Sequence, residues 1–212
     1  MRPRPSPDRA MVTEGAPALD RELEARIDAL FEEGRDYWHR FDAEVRQDDF
    51  HPFVPADYDA VRAALVSLRK PGRTFLEWGS ATGVITIMAD LLGFDACGIE
   101  LDASLVDEGR KLASRWGSNA RFATGSFVPM GWEWKRSEGK GNGRQGTIGQ
   151  GPSGYLELGR ALDDFDVVYG FPWMGEEPML LDLMRSHGGR DAHFVLHTVH
   201  DGTQIYRGGK IV

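Results

Sequence analysis

A short turn with two glycines lies between two acidic residues that could bind the same ligand. Gly79 and Gly83 belong to the turn, Glu77 precedes it, and Glu100 lies 17 residues after Gly83. Glycine has no Cβ atom, so its backbone can adopt positive φ or come close to a ligand. A carboxylate at this distance after the turn can accept hydrogen bonds from the two hydroxyls of a ribose. These residues therefore predict a site for a cofactor that contains a nucleoside.

The segments around the turn predict how these residues are positioned. Residues 74–76 are predicted as a short buried strand, 84–92 as a helix, and 95–99 as a second apolar strand. Two parallel strands joined by a right-handed helical crossover leave a ligand crevice at their carboxyl ends. Since Gly79 and Glu100 each follow a strand, we expect both at this crevice.

The turn does not fit the glycine pattern of dinucleotide-binding proteins. Counted from Gly79, that pattern requires glycine at the positions held by Ala81 and Val84. Two of its three glycines are therefore missing. An enzyme that uses NAD stays open as an alternative, which this mismatch disfavours.

The turn resembles motif I of the class I S-adenosylmethionine-dependent methyltransferases, in which an acidic residue is followed by three alternate glycines. Glu77, Gly79 and Gly83 match the motif, and Ala81 stands at its middle glycine. We expect the methyl group of Ala81 to cost little if its φ is negative. The resemblance implies S-adenosylmethionine as the cofactor and assigns Ser80, inside the same turn, to the cofactor site.

The resemblance also implies which parts of the cofactor these residues contact. The turn would wrap the methionine part, and free N–H groups at the start of the following helix would face its carboxylate. Glu77 would accept from N–H groups of the turn or from the ammonium group, while Glu100 and Leu101 would lie at the ribose. Ser126 and Phe127, after a third predicted strand, are expected beside the adenine. The family usually has an acidic residue near there, so Ser126 is a departure.

The end of a fourth predicted strand, 166–171, is where the family places its substrate motif. Residues 170–173 resemble the Asn/Asp-Pro-Pro-Tyr/Trp motif of methyltransferases that act on amino groups, yet Gly170 has no side-chain acceptor. This difference disfavours an amino-group substrate. Phe171, Pro172 and Trp173 are expected to form a flat apolar wall for the substrate. The alternative is that Trp173 closes the core beneath the loop.

Few side chains are candidates for the reaction itself. Methyl transfer from a sulfonium requires alignment of the nucleophile with the methyl carbon, and removal of a proton where the nucleophile carries one. Tyr169, Trp173 and His197 are the predicted catalytic residues, at or near the ends of the fourth and fifth predicted strands. His200 is a further candidate base, since histidine titrates near neutrality.

Composition narrows the classes of partner and site. The 212-residue chain has a formal net charge of −8, whereas a general nucleic-acid binder needs an excess of Lys and Arg on one face. We therefore expect a small molecule or a protein side chain as substrate, rather than nucleic acid. The single cysteine, Cys97, excludes a disulfide framework and a cysteine-based zinc site, and no metal site is predicted. No apolar run reaches the length of a membrane span, which favours a cytoplasmic location.

The predicted organisation is one catalytic-type domain with appendages. Residues 1–17 are predicted as a disordered tail, 18–70 as an N-terminal helical cap, and 71–212 as a Rossmann-like domain. We expect this domain to be α/β and doubly wound, with a mostly parallel sheet, helices on both faces, and truncation after the fifth or sixth strand. Its glycine-rich loop at 131–154 is predicted to be mobile, as a substrate lid or as a disordered insert.

Three further segments complete the prediction. Apolar residues at helical spacing over 19–45 predict one helix, or two helices broken near Gly34. His51 and Tyr58, in and after a proline-containing connector, could line the site, although a loop histidine is more often solvated. The last twelve residues, 201–212, could add one edge strand.

These observations predict an S-adenosylmethionine-dependent methyltransferase that acts by in-line transfer on a small molecule or a protein side chain. A non-catalytic module of the same fold, which binds the cofactor or serves as a scaffold, is the alternative. The departures at Ala81, Ser126 and Gly170 favour that alternative.

Overall fold

A central sheet organises the protein. The structure, a computed structural model, describes residues 19–44, 53–132, 151–173 and 175–212. The described residues form seven strands, which are β1 (Thr74–Trp78), β2 (Asp95–Glu100), β3 (Arg121–Thr124), β4 (Val167–Gly170), β5 (His193–Thr198), β6 (Gly202–Arg207) and β7 (Lys210–Ile211). Their order across the sheet is β3-β2-β1-β4-β5-β6-β7. Strands β1 to β5 are parallel, and β6 and β7 run antiparallel to their neighbours.

Helices cover both faces of this sheet, as predicted. They are α1 (Arg21–Glu44), α2 (Tyr58–Leu68), α3 (Val84–Leu91), α4 (Ala103–Arg115), α5 (Gly154–Leu158) and α6 (Glu177–His187), with a 3-10 turn at Leu162–Asp164. Successive strand residues point to opposite faces, so Phe75 joins the core beneath α1 to α4 while Leu76 joins the core beneath α5 and α6. The strands are therefore buried on both sides, as parallel sheets require.

Helix α1 runs continuously through Gly34, so the predicted alternative of a break there is not formed. A Cβ atom at Gly34 would lie 2.7 Å from Cγ2 of Val84 in α3, which is too close for any side chain. Glycine inside a helix costs about 1 kcal/mol relative to alanine. Here that cost is offset because the missing side chain lets α1 pack closely on α3.

An aspartate cap places acidic residues together at the carboxyl edge of the sheet. The side chain of Asp102 accepts hydrogen bonds from the N–H groups of Ser104 and Leu105, and so begins α4 directly after β2. Such caps satisfy N–H groups that the first helical turn leaves without partners. Because β2 ends at Glu100, the cap holds a second carboxylate two residues from the first.

The chain after β5 forms two strands, where we expected at most one. Strand β6 pairs with β5 from Thr198 opposite Gly202 to His193 opposite Arg207. Strand β7 has only two residues, Lys210 and Ile211. The described sheet therefore has seven strands, where truncation after the fifth or sixth was predicted, and two residues are too few to show a strand pattern in the sequence.

Two predicted mobile segments lie mainly outside the described residues. The predicted tail at 1–17 falls there entirely, and so does 133–150 of the loop predicted at 131–154. Residues 151–154 of that loop are described and lead into α5. Helix α5 was not predicted, because five residues are too few to show a helical period.

Candidate functional site

A cavity of about 490 Å³ opens at the carboxyl ends of the parallel strands. We call its two sides the β2 half and the β4 half. The β2 half is bordered by residues at or after the ends of β1, β2 and β3, namely Gly79, Ala81, Glu100, Leu101, Asp102, Gly125 and Phe127. The β4 half is bordered by residues at or after the ends of β4 and β5, among them Gly170, Phe171, Pro172, Trp173, Glu177, Thr198 and His200. Trp78, at the end of β1, lies between the two halves.

Backbone hydrogen bonds hold the turn between β1 and α3. The N–H groups of Gly79 and Ser80 both donate to the carbonyl of Ile99 in β2, at 2.9 and 3.0 Å. Gly79 has a φ of 69°, in the left-handed region that favours glycine. A Cβ atom built on Gly79 would meet no atom within 4 Å, so this side of the turn faces open space. The turn thus presents bare backbone to the cavity.

Ala81 adopts a left-handed conformation that favours glycine. Its φ is 44°, so the condition under which its methyl group was expected to cost little, a negative φ, is not met. This conformation brings the Cβ atom too close to the following carbonyl and costs about 1–2 kcal/mol for a residue other than glycine. The Ala81 N–H donates to Oε2 of Glu100 at 2.9 Å, and this bond to a charged acceptor offsets part of the strain.

Glu100 links the turn to the start of α4. Its Oε2 accepts from Ala81 as described, and its Oε1 accepts from the N–H of Asp102 at 3.0 Å. Each carboxylate oxygen has a second lone pair. Because Glu100 is only partly buried and borders the cavity, both oxygens can also accept hydrogen bonds from a ligand.

Glu77 lies beneath the turn and not in the main cavity. Its Oε2 accepts hydrogen bonds from the backbone N–H of Thr86, at 2.9 Å, and from the Thr86 hydroxyl. Burial raises the pKa of Glu77 to about 8, although these hydrogen bonds oppose the shift. Glu77 therefore carries a proton through most of the neutral range.

A second cavity of about 40 Å³ lies behind the turn and is bordered by Glu77, Tyr58, Ser80 and Tyr169. The hydroxyls of Ser80 and Tyr169 are buried, and neither finds a hydrogen-bond partner among the described residues. Buried polar groups normally have partners. The second cavity is therefore suited to a water molecule or to a polar end of a ligand.

Gly83 and Ser126, two predicted cofactor residues, border neither cavity. A Cβ atom on Gly83 would lie 2.3 Å from the ring of Phe122, so this glycine makes room for packing instead of for a ligand. The Ser126 N–H donates to the carbonyl of Pro152, and the Ser126 hydroxyl accepts from the N–H of Val128. The neighbouring Phe127 does border the cavity.

Of the three predicted catalytic residues, only Trp173 borders the main cavity. Tyr169 faces the second cavity, and burial raises its pKa well above the ordinary value. His197 is buried behind Phe171, with ring centroids 4.9 Å apart, and its Nδ1 lies 2.8 Å from the Thr203 hydroxyl. Burial also lowers the pKa of His197, so its ring is neutral at pH 7. The structure therefore does not bring Tyr169 or His197 to the cavity, because strand alternation turns both side chains away from it.

Several residues that border the cavity were not predicted for it. Asp102 carries a sequence signal, since aspartate before a helix is a common cap. Phe53 and Val54 come from the connector before α2, whose predicted neighbour His51 lies outside the described residues. Glu177 and Thr198 gave no comparable signal, because their approach depends on the sheet and not on local spacing.

The cavity is negatively charged. Glu100, Asp102 and Glu177 border it, and no Lys or Arg does so among the described residues. Such a lining favours cationic over anionic ligands.

Within the described ranges, no group of three or more His, Cys, Asp or Glu residues could hold a metal ion. No helix in that part of the chain is long and apolar enough to span a membrane.

The order of the parallel strands and the helices on both faces define a Rossmann-like α/β fold, as predicted. No protein-family profile matches the chain. The ribosomal protein L11 methyltransferase of Thermus thermophilus is 32% identical to it over 85 residues, which are 37% of this chain and 34% of that protein. The chain thus spans about a third of the length of this curated relative. That similarity confirms the predicted resemblance to methyltransferases and identifies no subfamily.

Three solved structures to which the chain is similar are described as methyltransferases. An RNA methyltransferase from Salinibacter ruber, in complex with S-adenosyl-L-homocysteine, is 17% identical with a TM-score of 0.48 over 68% of this chain and 78% of that chain. A tRNA (uracil-54, C5)-methyltransferase from Pyrococcus abyssi is 16% identical with a TM-score of 0.45, and the match covers 70% of this chain and 30% of that chain. A TehB-like S-adenosylmethionine-dependent methyltransferase from Corynebacterium glutamicum is 17% identical with a TM-score of 0.40, and the match covers 80% of this chain and 72% of that chain.

Proposed function

We propose that the chain is an S-adenosylmethionine-dependent methyltransferase, with its cofactor in the β2 half of the cavity and its methyl acceptor in the β4 half. The observation that carries this proposal is the joint position of the turn and Glu100. The Ala81 N–H and the Glu100 carboxylate are hydrogen bonded at the carboxyl edge of the parallel sheet, where such folds bind ligands. Both residues border the same cavity.

The residues of the β2 half fit this cofactor. Gly79 leaves open space that a side chain would fill, and Glu100 and Asp102 supply negative charge for a ligand with a sulfonium and an ammonium group. Glu100 and Leu101 would hold the ribose, and Phe127 would lie beside the adenine. When bound, the cofactor supplies an electrophilic methyl group.

The β4 half would orient the acceptor. Phe171, Pro172 and Trp173 offer an apolar wall, and holding the acceptor against this wall converts an encounter into an aligned approach. An acceptor that must lose a proton would pass it to Glu177, to His200 or to solvent. His200 is exposed at the rim, where its ring is accessible to water.

We infer that the acceptor is a small molecule or a protein side chain. The three carboxylates that border the cavity, together with the formal net charge of −8, oppose the approach of a phosphate backbone. The basic residues of the loop, Lys135, Arg136, Lys140 and Arg144, lie outside the described residues. Nucleic acid is therefore the disfavoured class of acceptor, and the labelling experiment must test it directly.

Two measurements test the proposal. Calorimetric titration should detect adenosylmethionine binding and no NAD binding, whereas binding of NAD alone would overturn it. Incubation with methyl-labelled adenosylmethionine and pools of metabolites, protein, RNA or DNA should then label metabolites or protein. Label in nucleic acid alone would overturn the acceptor assignment and leave the reaction assignment intact.

A module that binds the cofactor without catalysis is the second candidate. It is favoured by the position of Tyr169 and His197, two of the three predicted catalytic residues, which do not border the main cavity. Adenosylmethionine binding without label transfer to any pool would support this candidate.

A further inference from the structure

The indole of Trp78 forms the floor of the cavity and packs against two other aromatic rings. Trp78 is buried, and its ring stacks on Phe127 with centroids 5.1 Å apart and planes 16° apart. The ring of Phe194 in β5 also packs against the indole, with centroids 5.3 Å apart and planes 51° apart. Since β1 lies between β2 and β4, this indole extends beneath the boundary of the β2 and β4 halves.

One hydrogen bond fixes the orientation of that indole. Trp78 Nε1 donates to the hydroxyl oxygen of Tyr155, 3.0 Å away, in an interior where a buried N–H left without an acceptor is costly. Stacking alone does not determine in which direction the indole N–H points, because both faces of the ring are apolar. The Tyr155 hydroxyl therefore selects one of the two orientations.

Gly154 and two backbone hydrogen bonds position Tyr155 close to Trp78. A Cβ atom on Gly154 would lie 2.6 Å from Cγ2 of Ile99, so glycine there lets α5 lie against β2. The Gly154 N–H donates to the carbonyl of Ser126, and the Ser126 N–H donates to the carbonyl of Pro152. These contacts tie the segment before Tyr155 to the end of β3. Tyr155 itself is buried and does not border the cavity.

We propose that Tyr155 is a positioning residue, which acts through its hydrogen bond to Trp78 to hold the cavity floor in the orientation that binds the cofactor. This inference rests on the proposed function. It assigns a role to a residue that touches neither ligand directly. Its effect must therefore pass through the Trp78 N–H.

A double-mutant cycle with a matched core control tests this role. Tyr155→Phe removes only the hydroxyl, and Trp78→Phe removes the N–H while keeping an aromatic ring. Ile87→Val is the control, because Ile87 is fully buried in α3 and borders neither cavity. Adenosylmethionine affinity is measured by calorimetric titration, and folding by near-ultraviolet circular dichroism and thermal unfolding.

We expect Tyr155→Phe to weaken adenosylmethionine binding roughly 3- to 10-fold, the usual worth of one hydrogen bond. The Ile87→Val control should lower the melting temperature without a change in affinity. The double variant should bind no more weakly than Trp78→Phe alone, since both changes break the same bond.

Two results would overturn the role of Tyr155 alone, namely unchanged affinity in a folded Tyr155→Phe variant, or independent, multiplying losses in the double variant. A native chain that does not bind adenosylmethionine would overturn the proposed function as well, so the two failures are distinct. If Tyr155→Phe does not fold, Trp78→Phe must still weaken binding for the role to stand.

Discussion

A backbone turn shapes one side of the β2 half of the cavity, whereas aromatic side chains shape the β4 half. In the β2 half, the N–H groups of Gly79 and Ser80 and the strained Ala81 set the shape of the turn. In the β4 half, Phe171 and Trp173 set the shape with their rings. We infer that cofactor affinity depends on backbone conformation, while acceptor choice depends on side-chain volume. Substitutions can separate the two halves on this basis.

The largest effect is expected for Gly79→Val. A β-branched residue at a φ of 69° is strained, and its side chain would enter the open space that the turn presents to the ligand. Adenosylmethionine affinity should fall by at least ~100-fold, equivalent to about 2.7 kcal/mol. Gly72→Val is the matched control, since Gly72 has a φ of 75°, equally open surroundings and no contact with the cavity. Equal losses of affinity in both variants would contradict a ligand at Gly79.

Glu100→Ala should have the next largest effect. Removing this carboxylate deletes the acceptor for the Ala81 N–H and the proposed acceptor for the ribose hydroxyls, so affinity should weaken by about 1–3 kcal/mol. Glu157→Ala is the control, because Glu157 also accepts from a backbone N–H, that of Thr124, and lies away from the cavity. Unchanged affinity in Glu100→Ala would remove that residue from the site.

Trp173→Ala, in the β4 half, should leave cofactor affinity within roughly twofold if the halves are separable.

Glu77 should make the stability of the fold depend on pH. Its pKa is about 8 in the folded chain, whereas the reference pKa of an exposed glutamate is 4.5. Between these two pH values the folded state holds a proton that the unfolded state has released. The stabilising contribution is therefore fully present below pH 4.5 and is lost as the pH rises through 8. One linked proton changes the free energy of unfolding by at most about 1.4 kcal/mol per pH unit. Urea unfolding at several pH values should show this decline, and Glu77→Gln should flatten it; an equal slope in both proteins would reject the assignment.

The smallest effect is expected for Ala81→Gly. Glycine relieves the left-handed strain, and it also increases the entropy of the unfolded chain, so the two contributions partly cancel. The net change should lie between no effect and a stabilisation of about 1 kcal/mol. Ala161→Gly, at a loop residue with a φ of −94°, should instead destabilise by roughly 0.4–1 kcal/mol. Denaturant unfolding of both variants gives the comparison, and equal destabilisation would mean that Ala81 is not strained.

The sequence predicted which segments meet at the cavity better than it predicted which side chains face it, for a physical reason. Glu77, Gly79 and Glu100 belong to one strand-helix-strand unit, so their spacing alone brings them together. The faces that Tyr169 and His197 present depend on sheet alternation and packing, which local spacing does not reveal, and both were expected in the cavity. The positive φ of Ala81 was also missed, because alanine itself carries no signal of a left-handed conformation.

The hairpin between β5 and β6 has a consequence for how acceptor choice can change. Its turn consists of three residues, 199–201, and Val199 and His200 stand at the rim of the β4 half. Hairpin turns tolerate insertions, and β6 lies outside the parallel strands that carry the turn between β1 and α3. Libraries that vary the length and sequence of the hairpin turn could therefore be selected for new methyl acceptors, while the proposed cofactor site keeps its sequence.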